Sequence, residues 1–164
     1  MRQLFRTALV ALLLAPPVAA AQSAAPAAAP RDTVADRQAV LAVVTKLFDA
    51  MRKGDSAAAG ALFIPKAQLT TAVVGPNGPR VIVEEIASFL KAIGTPHPEV
   101  WDERIRNPIV HLDGPLGVVW VDYSFYAGEK FSHCGIDVFQ IALTTDGWKI
   151  VSIADTRRRT GCVQ

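Results

Sequence analysis

The sheet of this protein can be predicted from residues 116–127, which read LGVVWVDYSFYA. β-branched and aromatic residues dominate this stretch, and such residues favour extended strands. Successive side chains of a strand point to opposite faces of the sheet. One face of the predicted strand therefore carries Val119, Val121, Tyr123 and Phe125. The opposite face carries Val118, Trp120, Asp122, Ser124 and Tyr126.

Three further strands are predicted beside this one, at residues 101–113, 131–144 and 148–158, from their β-branched and aromatic content. Short turns separate the four strands, with the sequences DGP at 113–115, AGEK at 127–130 and DG at 146–147. Consecutive strands that are joined by short turns form an antiparallel meander. The second half of the chain is therefore expected to be one long sheet.

Helices are predicted before the meander. Thr33, followed three residues later by Asp36, indicates the start of the first helix, and Gly54 indicates its end. Between these points one apolar stripe recurs at helical spacing, formed by Val40, Val43, Val44, Leu47, Phe48 and Met51. The remaining predicted elements are helices at 57–62, capped by Asp55, and 84–93, and strands at 68–74 and 81–83. Helices followed by an antiparallel sheet predict an α+β domain with the helices on one face of the sheet.

The N-terminus has the composition of a secretory signal peptide. Arg2 and Arg6 precede an apolar run at residues 8–14, and small residues at 19–21 fit a cleavage site. The alternative is a membrane anchor, but the run is much shorter than the roughly 20 residues that span a bilayer. The predicted organisation is a signal peptide at 1–21, an Ala/Pro-rich linker at 22–32 and a domain at 33–164. We expect a periplasmic or secreted protein with no membrane association after cleavage.

The charge balance argues against nucleic-acid binding. The chain has 17 Lys and Arg against 15 Asp and Glu, and loss of residues 1–21 removes two arginines and balances the charges. A nucleic-acid-binding surface needs a clustered basic face. The one basic run, at 157–159, is either a solvated strand end or a site for an anionic ligand.

The chain has two cysteines, Cys134 and Cys162. An even number of cysteines in an exported chain predicts a disulfide, and a single pair leaves one connectivity. If the last hairpin turns at 145–147, Cys134 faces roughly Arg158, and the chain can fold back to bring Cys162 to it. The alternative is two free thiols.

Four segments together resemble a known family: MRKGD at 51–55, VWVDYSFY at 119–126, HCGIDVFQ at 133–140 and DGWKI at 146–150. Their order and spacing are similar to those of the nuclear-transport-factor-2-like superfamily. More narrowly, they resemble its secreted bacterial members of the SnoaL-like or putative lumazine-binding type. The resemblance covers roughly residues 33–159.

This resemblance implies a cone, in which a bent antiparallel sheet wraps around helices and leaves a cavity that is the usual ligand site. It also implies that a homodimer through the sheet is possible. The superfamily includes ketosteroid isomerases, polyketide cyclases, dehydratases and limonene epoxide hydrolases, and many members without known activity. The fold therefore does not decide the function.

The candidate ligand-binding residues lie on the central strands. A three-residue turn at 128–130 places Phe125 opposite His133 and Val121 opposite Asp137. The predicted ligand-binding set is Trp120, Tyr123, Phe125, His133, Asp137 and Phe139. Asp137 is the most informative of these, since a carboxylate in an apolar strand must be hydrogen-bonded, paired or facing a wet cavity.

No catalytic residue can be assigned from the sequence, although Asp137, His133 and Asp122 are weak candidates. His133 and Asp137 are separated by about 13 Å along the strand, so they are not expected to bond to each other. Asp155 beside Arg157 is interpreted as a surface ion pair. No cofactor is predicted. No metal site is predicted either, because the three histidines are scattered.

Three functions remain open at this point. The first is an exported domain without established catalysis that binds a small, mostly apolar molecule. The second is an isomerase, dehydratase or cyclase that uses a carboxylate in the same cavity. The third is a dimeric protein-interaction module. A buried aspartate with a raised pKa would favour the enzyme.

Overall fold

The computed structural model describes residues 32–163 as an α+β domain. The fold class predicted from the sequence is confirmed. The predicted signal peptide and nearly all of the predicted linker lie outside the described residues. None of the helices between residues 32 and 163 is long and apolar enough to cross a membrane.

Three helices cover one face of the sheet: α1 (Val34–Lys53), α2 (Ser56–Gly60) and α3 (Ile86–Gly94). Helix α1 begins with a capping box, in which Thr33 accepts from the backbone of Asp36 and the Asp36 side chain accepts in return. It ends at Gly54, whose φ of 64° is the left-handed conformation that glycine adopts without strain. The predicted bounds of this helix are therefore confirmed.

The sheet has six strands: β1 (Phe63–Gly75), β2 (Gly78–Glu85), β3 (Trp101–Asp113), β4 (Leu116–Ala127), β5 (Lys130–Thr144) and β6 (Gly147–Thr156). Their spatial order is β2-β1-β6-β5-β4-β3. All neighbouring strands are antiparallel except β1 and β6, which are parallel. The predicted meander is therefore confirmed, and the first hairpin joins it through β6.

Several element bounds differ from the prediction, and β1 begins at Phe63, five residues before the predicted start. Glu84 and Glu85 extend β2 rather than starting a helix, because they pair with Leu69 and Gln68 of β1. Helix α3 consequently begins at Ile86. The α2 helix is also shorter than predicted, since the chain enters β1 soon after Ala61.

The pairing of the central strands agrees with the prediction, but the predicted three-residue turn is wrong: Ala127 pairs with Lys130 across a two-residue turn, and a bulge between Phe125 and Tyr126 restores the predicted pairing. Phe125 pairs with His133, and Val121 pairs with Asp137. The hydrophobic core lies between the inner face of these strands and the apolar stripe of α1. Phe48 of α1 meets Phe139 of β5 edge to face, with ring centroids 6.0 Å apart. The stripe predicted for α1 is buried at every one of its six positions.

The predicted disulfide is present between Cys134 and Cys162. Cys134 also forms two backbone hydrogen bonds of 2.9 Å with Arg158, so the predicted juxtaposition of these residues is confirmed. The Ser124 hydroxyl donates to the carbonyl oxygen of Val163 over 3.0 Å. The C-terminal tail is thereby fastened to the outer part of β4 and β5.

Candidate functional site

A cavity of about 340 Å³ lies between the helices and the inner face of the sheet. Its apolar wall consists of Leu47, Phe48, Met51, Phe89, Ala92, Trp101 and Phe125. Its polar wall consists of Glu84, Glu103, Tyr123, His133, Asp137, Asp155 and Arg157. Such a division, with an apolar body and a few polar groups, is typical of small-molecule sites.

The structure brings four of the predicted ligand-binding residues together in this cavity: Tyr123, Phe125, His133 and Asp137. Two others lie elsewhere. Trp120 is on the outer face of the sheet and is 48% exposed, because strand alternation turns it away from its neighbours Val119 and Val121. Phe139 is fully buried against α1 and belongs to the core. Asp122 also lies away from the cavity, where it accepts a hydrogen bond from Asn107.

An acid pair stands at the centre of the polar wall. Asp137 is 3% exposed, and its side chain is hydrogen-bonded to that of Glu103 on β3. Two carboxyl groups can bond in this way only if they share a proton. Burial and the charge of Glu103 raise the pKa of Asp137 well above its usual range. Burial likewise raises the pKa of Glu103 to about 7, although the bond from Asp137 lowers it.

Asp137 therefore holds the shared proton at neutral pH. Its Oδ2 atom is buried and receives no hydrogen bond from any donor in the described part of the chain. A buried carboxyl oxygen without a donor is poorly suited to a negative charge, and protonation removes that cost. The pair thus combines a retained acid with a neighbouring carboxylate, an arrangement suited to proton transfer.

The prediction that Asp155 and Arg157 form a surface ion pair is wrong in its location. The Asp155 side chain is only 12% exposed and lines the cavity. It accepts hydrogen bonds from Arg157 Nε at 2.7 Å and from Thr71 Oγ1 at 2.5 Å. Asp155 is drawn inward because β6 lies at the centre of the sheet, between β1 and β5.

His133 is packed against the rings of Phe125 and Tyr123, with centroids 5.1 and 5.7 Å apart. Burial, and then the charge of Arg157, lower the pKa of His133 below its usual value. The imidazole is therefore neutral at neutral pH. Its Nδ1 atom is 3.0 Å from the Ser132 hydroxyl.

Gly135 allows Tyr123 to reach across β5. The Tyr123 hydroxyl donates to the carbonyl oxygen of Thr156 over 2.9 Å, and Gly135 lies directly between these groups. A β-carbon at Gly135 would lie 1.7 Å from the Thr156 carbonyl oxygen and 2.7 Å from the Tyr123 ring. The absence of a side chain here thus fixes how β6 approaches the cavity.

Glu103 is the most important site residue that the sequence analysis missed. It lies on the same face of β3 as Trp101, and it pairs with Phe125 of the neighbouring strand β4. Val110 and Leu112 of β3 face inward, and a regular alternation extended back from them would predict that Glu103 faces outward. A bulge between Arg106 and Ile109 reverses the alternation in this strand.

A family model described as putative lumazine-binding matches residues 35–154. The chain belongs to this family. A comparison with curated proteins gives no match. Membership confirms the narrower of the two resemblances drawn from the sequence.

Solved structures share the fold of this member of the putative lumazine-binding family. An NTF2-like protein with a cystatin-like fold from Novosphingobium aromaticivorans superposes with a TM-score of 0.64 at 13% identity, covering 79% of this chain and 86% of that one. An NTF2-like protein from Shewanella baltica superposes with a TM-score of 0.60 at 18% identity, covering 79% of this chain and 98% of that one. A putative dehydratase of the NTF2-like family from Streptomyces avermitilis superposes with a TM-score of 0.57 at 17% identity, covering 77% of this chain and 98% of that one. These similarities establish the NTF2-like cone fold.

The acid pair predicts that the free energy of unfolding falls as pH rises. Folded Glu103 keeps its proton to about pH 7, whereas an unfolded glutamate loses it near 4.5. Between these values the folded state binds more protons, so raising the pH favours unfolding. Glu103 alone should contribute a loss on the order of 2–3 kcal/mol across this window, and Asp137, whose pKa is also raised by burial, adds to it. Urea unfolding at a series of pH values measures it.

Two variants test the origin of this pH dependence. Glu103→Gln should make the profile less steep, because glutamine carries no proton to release, while buried Asp137 still keeps its own. Glu129→Gln removes an equal charge from the exposed β4–β5 turn and should leave the profile unchanged. A Glu103→Gln profile as steep as that of the wild type would contradict the assignment.

No group of three or more His, Cys, Asp or Glu side chains within residues 32–163 is arranged to hold a metal ion. The polar wall is instead organised by hydrogen bonds between its own members. Its chemistry is that of the acid pair, the neutral imidazole and the Asp155–Arg157 ion pair.

Proposed function

We propose that this protein binds a small, mostly apolar molecule in the cavity between its helices and sheet. The observation that carries the proposal is the division of that cavity into an apolar wall and a cluster of polar groups. Its volume of about 340 Å³ lies within the range of small-molecule sites. The family description, putative lumazine-binding, supports a small-molecule ligand. We adopt the class of ligand and not lumazine itself.

Native mass spectrometry of the purified protein, before and after denaturation, tests this proposal. We expect a small molecule to be released on denaturation. Ala92→Trp should abolish its retention, because Ala92 lines the cavity and tryptophan would fill it. Ala87→Trp, on the exposed side of the same helix, is the matched control. Protein that releases nothing, or an Ala92→Trp variant that retains the molecule, would contradict the proposal.

The acid pair favours a second function, proton transfer on the bound molecule. In an isomerase- or dehydratase-type step, the Glu103 carboxylate would accept a proton from a C–H group beside a carbonyl. Asp137 would donate its own proton to the carbonyl oxygen, so that an enol forms and both carboxyl groups exchange protonation states. The raised pKa of buried Asp137 is the feature that favours an enzyme.

Deuterium incorporation into the released ligand measures this step. Incubation of ligand and protein in D₂O should label the C–H position, and Glu103→Gln and Asp137→Asn should each slow labelling by about 100-fold or more. A ligand that binds but gains no deuterium faster than it does in buffer would leave the binding function and exclude this enzymatic one.

We propose further that the chain is exported. The Cys134–Cys162 disulfide supports this, because disulfides persist in oxidising compartments. Intact mass of the exported protein tests the proposal together with the predicted cleavage after Ala21. A mature chain that begins at Gln22 is expected, and a full-length chain retained in the cytoplasm would contradict it.

A homodimer through the outer face of the sheet is the partner we propose. Trp120 is 48% exposed and pairs with Ile109, which is 51% exposed, so the two form an apolar patch. Trp120→Glu should shift the protein to monomer in sedimentation velocity, because the dimer would bury a charge. Val81→Glu, at a comparably exposed apolar position on β2, should not. A wild-type monomer at high concentration would contradict the proposal.

A further inference from the structure

Several hydrogen-bond donors around the cavity are engaged within the protein. The Tyr123 hydroxyl donates to the carbonyl of Thr156. Thr71 Oγ1 and Arg157 Nε both donate to Asp155. These three donors are thus already engaged within the protein.

The hydrogen-bond acceptors of the cavity, in contrast, include one that receives no hydrogen bond within residues 32–163. Asp137 Oδ2 is buried, belongs to a residue that lines the cavity and receives no hydrogen bond from the described residues. Glu103 lies beside it, and Glu84 contributes a third carboxyl group from the end of β2. Together with Asp155, four carboxyl groups face one guanidinium, that of Arg157, and a neutral imidazole. A ligand that brings donors is therefore favoured, and so is a positive charge on it.

Aromatic rings complete the environment. Trp101 is held by His97, which stacks on it at a centroid distance of 4.4 Å, and by Phe125, which meets it edge to face at 6.1 Å. The cavity is thus lined by rigid rings beside carboxyl groups. Ring faces attract cations and accommodate flat apolar groups.

We propose that the ligand of this cavity is an organic cation, a protonated amine carried on a flat apolar body, whose N–H groups donate to Asp137 and Glu103. This inference rests on the proposed binding function and specifies its ligand class. The shared proton leaves the empty acid pair with one negative charge instead of two. The ammonium group takes the place of that proton, so binding releases it.

The charged and titratable groups facing the pair come from every neighbouring strand. Glu84 belongs to β2, Tyr123 to β4, His133 to β5 and Asp155 to β6, and Arg157 follows directly after the end of β6. Arg157 is the one cation among them, and its Nε is bonded to Asp155. The pair is therefore the group whose proton the ligand displaces. Affinity for a cation should rise with pH as the shared proton becomes easier to remove.

Three indole probes of matched size test the proposal: tryptamine, which is cationic, tryptophol, which is neutral, and indole-3-acetate, which is anionic. Calorimetric titration at neutral pH should give an affinity for tryptamine at least about tenfold higher than for tryptophol, with indole-3-acetate weakest. Titrations in two buffers of different ionisation enthalpy should show proton release with tryptamine alone.

Variants locate the effect. Glu103→Gln should remove most of the preference for tryptamine and the proton release, whereas Glu129→Gln, of equal charge change on the β4–β5 turn, should alter neither. Equal or tighter binding of tryptophol or indole-3-acetate would overturn the cation inference and leave the binding function standing. Failure of all three probes, with no small molecule released on denaturation, would overturn both.

Discussion

Replacing Gly135 with alanine is expected to lower the free energy of unfolding by about 3 kcal/mol or more, which is among the largest effects of one added methyl group. The new β-carbon would overlap the Thr156 carbonyl oxygen at 1.7 Å and the Tyr123 ring at 2.7 Å. The first of these contacts is with backbone, so the clash cannot be relieved by a rotamer change. Either β6 must separate from β5 or Tyr123 must leave its place.

The same substitution should damage the cavity. Thr156 directly follows Asp155 and precedes Arg157, so displacement of β6 moves both partners of the ion pair. Urea unfolding measures the stability, and retention of the small molecule measures the site. Gly75→Ala is the matched control, because the nearest atom to its β-carbon is 4.0 Å away. Its effect should stay within about 0.5 kcal/mol. A Gly135→Ala protein with wild-type stability would contradict the packing described here.

Reduction of the disulfide is expected to cost about 3–4 kcal/mol of unfolding free energy. The bridge joins residues 28 positions apart, and the loop-entropy model gives this magnitude for a loop of that length. Unfolding is measured with and without dithiothreitol. The double variant Cys134→Ala, Cys162→Ala should match the reduced protein and should not respond to the reductant. An oxidised and a reduced protein of equal stability would contradict the prediction.

The effect of reduction on the cavity should be smaller. Arg158 keeps its two backbone hydrogen bonds to Cys134 when the sulfurs separate, and these hold the chain next to Arg157. Amide exchange is therefore expected to accelerate beyond residue 159 and to change little at Asp155. Equal acceleration at both places would show that the bridge, and not the backbone pairing, positions β6.

The sequence predicted what depends on neighbouring segments of the chain. The caps of α1 and its apolar stripe follow from local composition, and the pairing of Phe125 with His133 was predicted although a bulge beside the turn, and not the turn length, produces it. The disulfide was predicted from the even number of cysteines and from the last hairpin, which brings Cys134 to the chain at Arg158. Each of these features is decided within a few tens of residues.

The site features that the sequence did not predict have two causes. One is the pairing of strands that are distant in the chain, and the other is a bulge that reverses which side chains of a strand face inward. Asp155 looked like a surface residue because nothing local places β6 beside β1. Glu103 was missed because the bulge near Asn107, whose φ is 52°, reverses the alternation of β3. Trp120 was predicted to bind the ligand because its size suits a pocket wall. It lies two residues from Asp122 on the same strand, however, and this alternation already placed both side chains on the outer face. The alternation of side chains along the strand predicted the position of Trp120 better than its size did.

The parallel pairing of β1 with β6 has a consequence for how the chain folds. The first hairpin presents Val81, Ile82 and Val83 at the edge of the sheet, and it meets the meander only through the last strand. The first hairpin therefore gains its place in the sheet only when almost the whole chain is available. Contacts between such distant segments form slowly and leave strand edges exposed meanwhile. A chain with this topology suits a route in which it is kept unfolded until it is complete, as happens when a protein crosses a membrane before it folds.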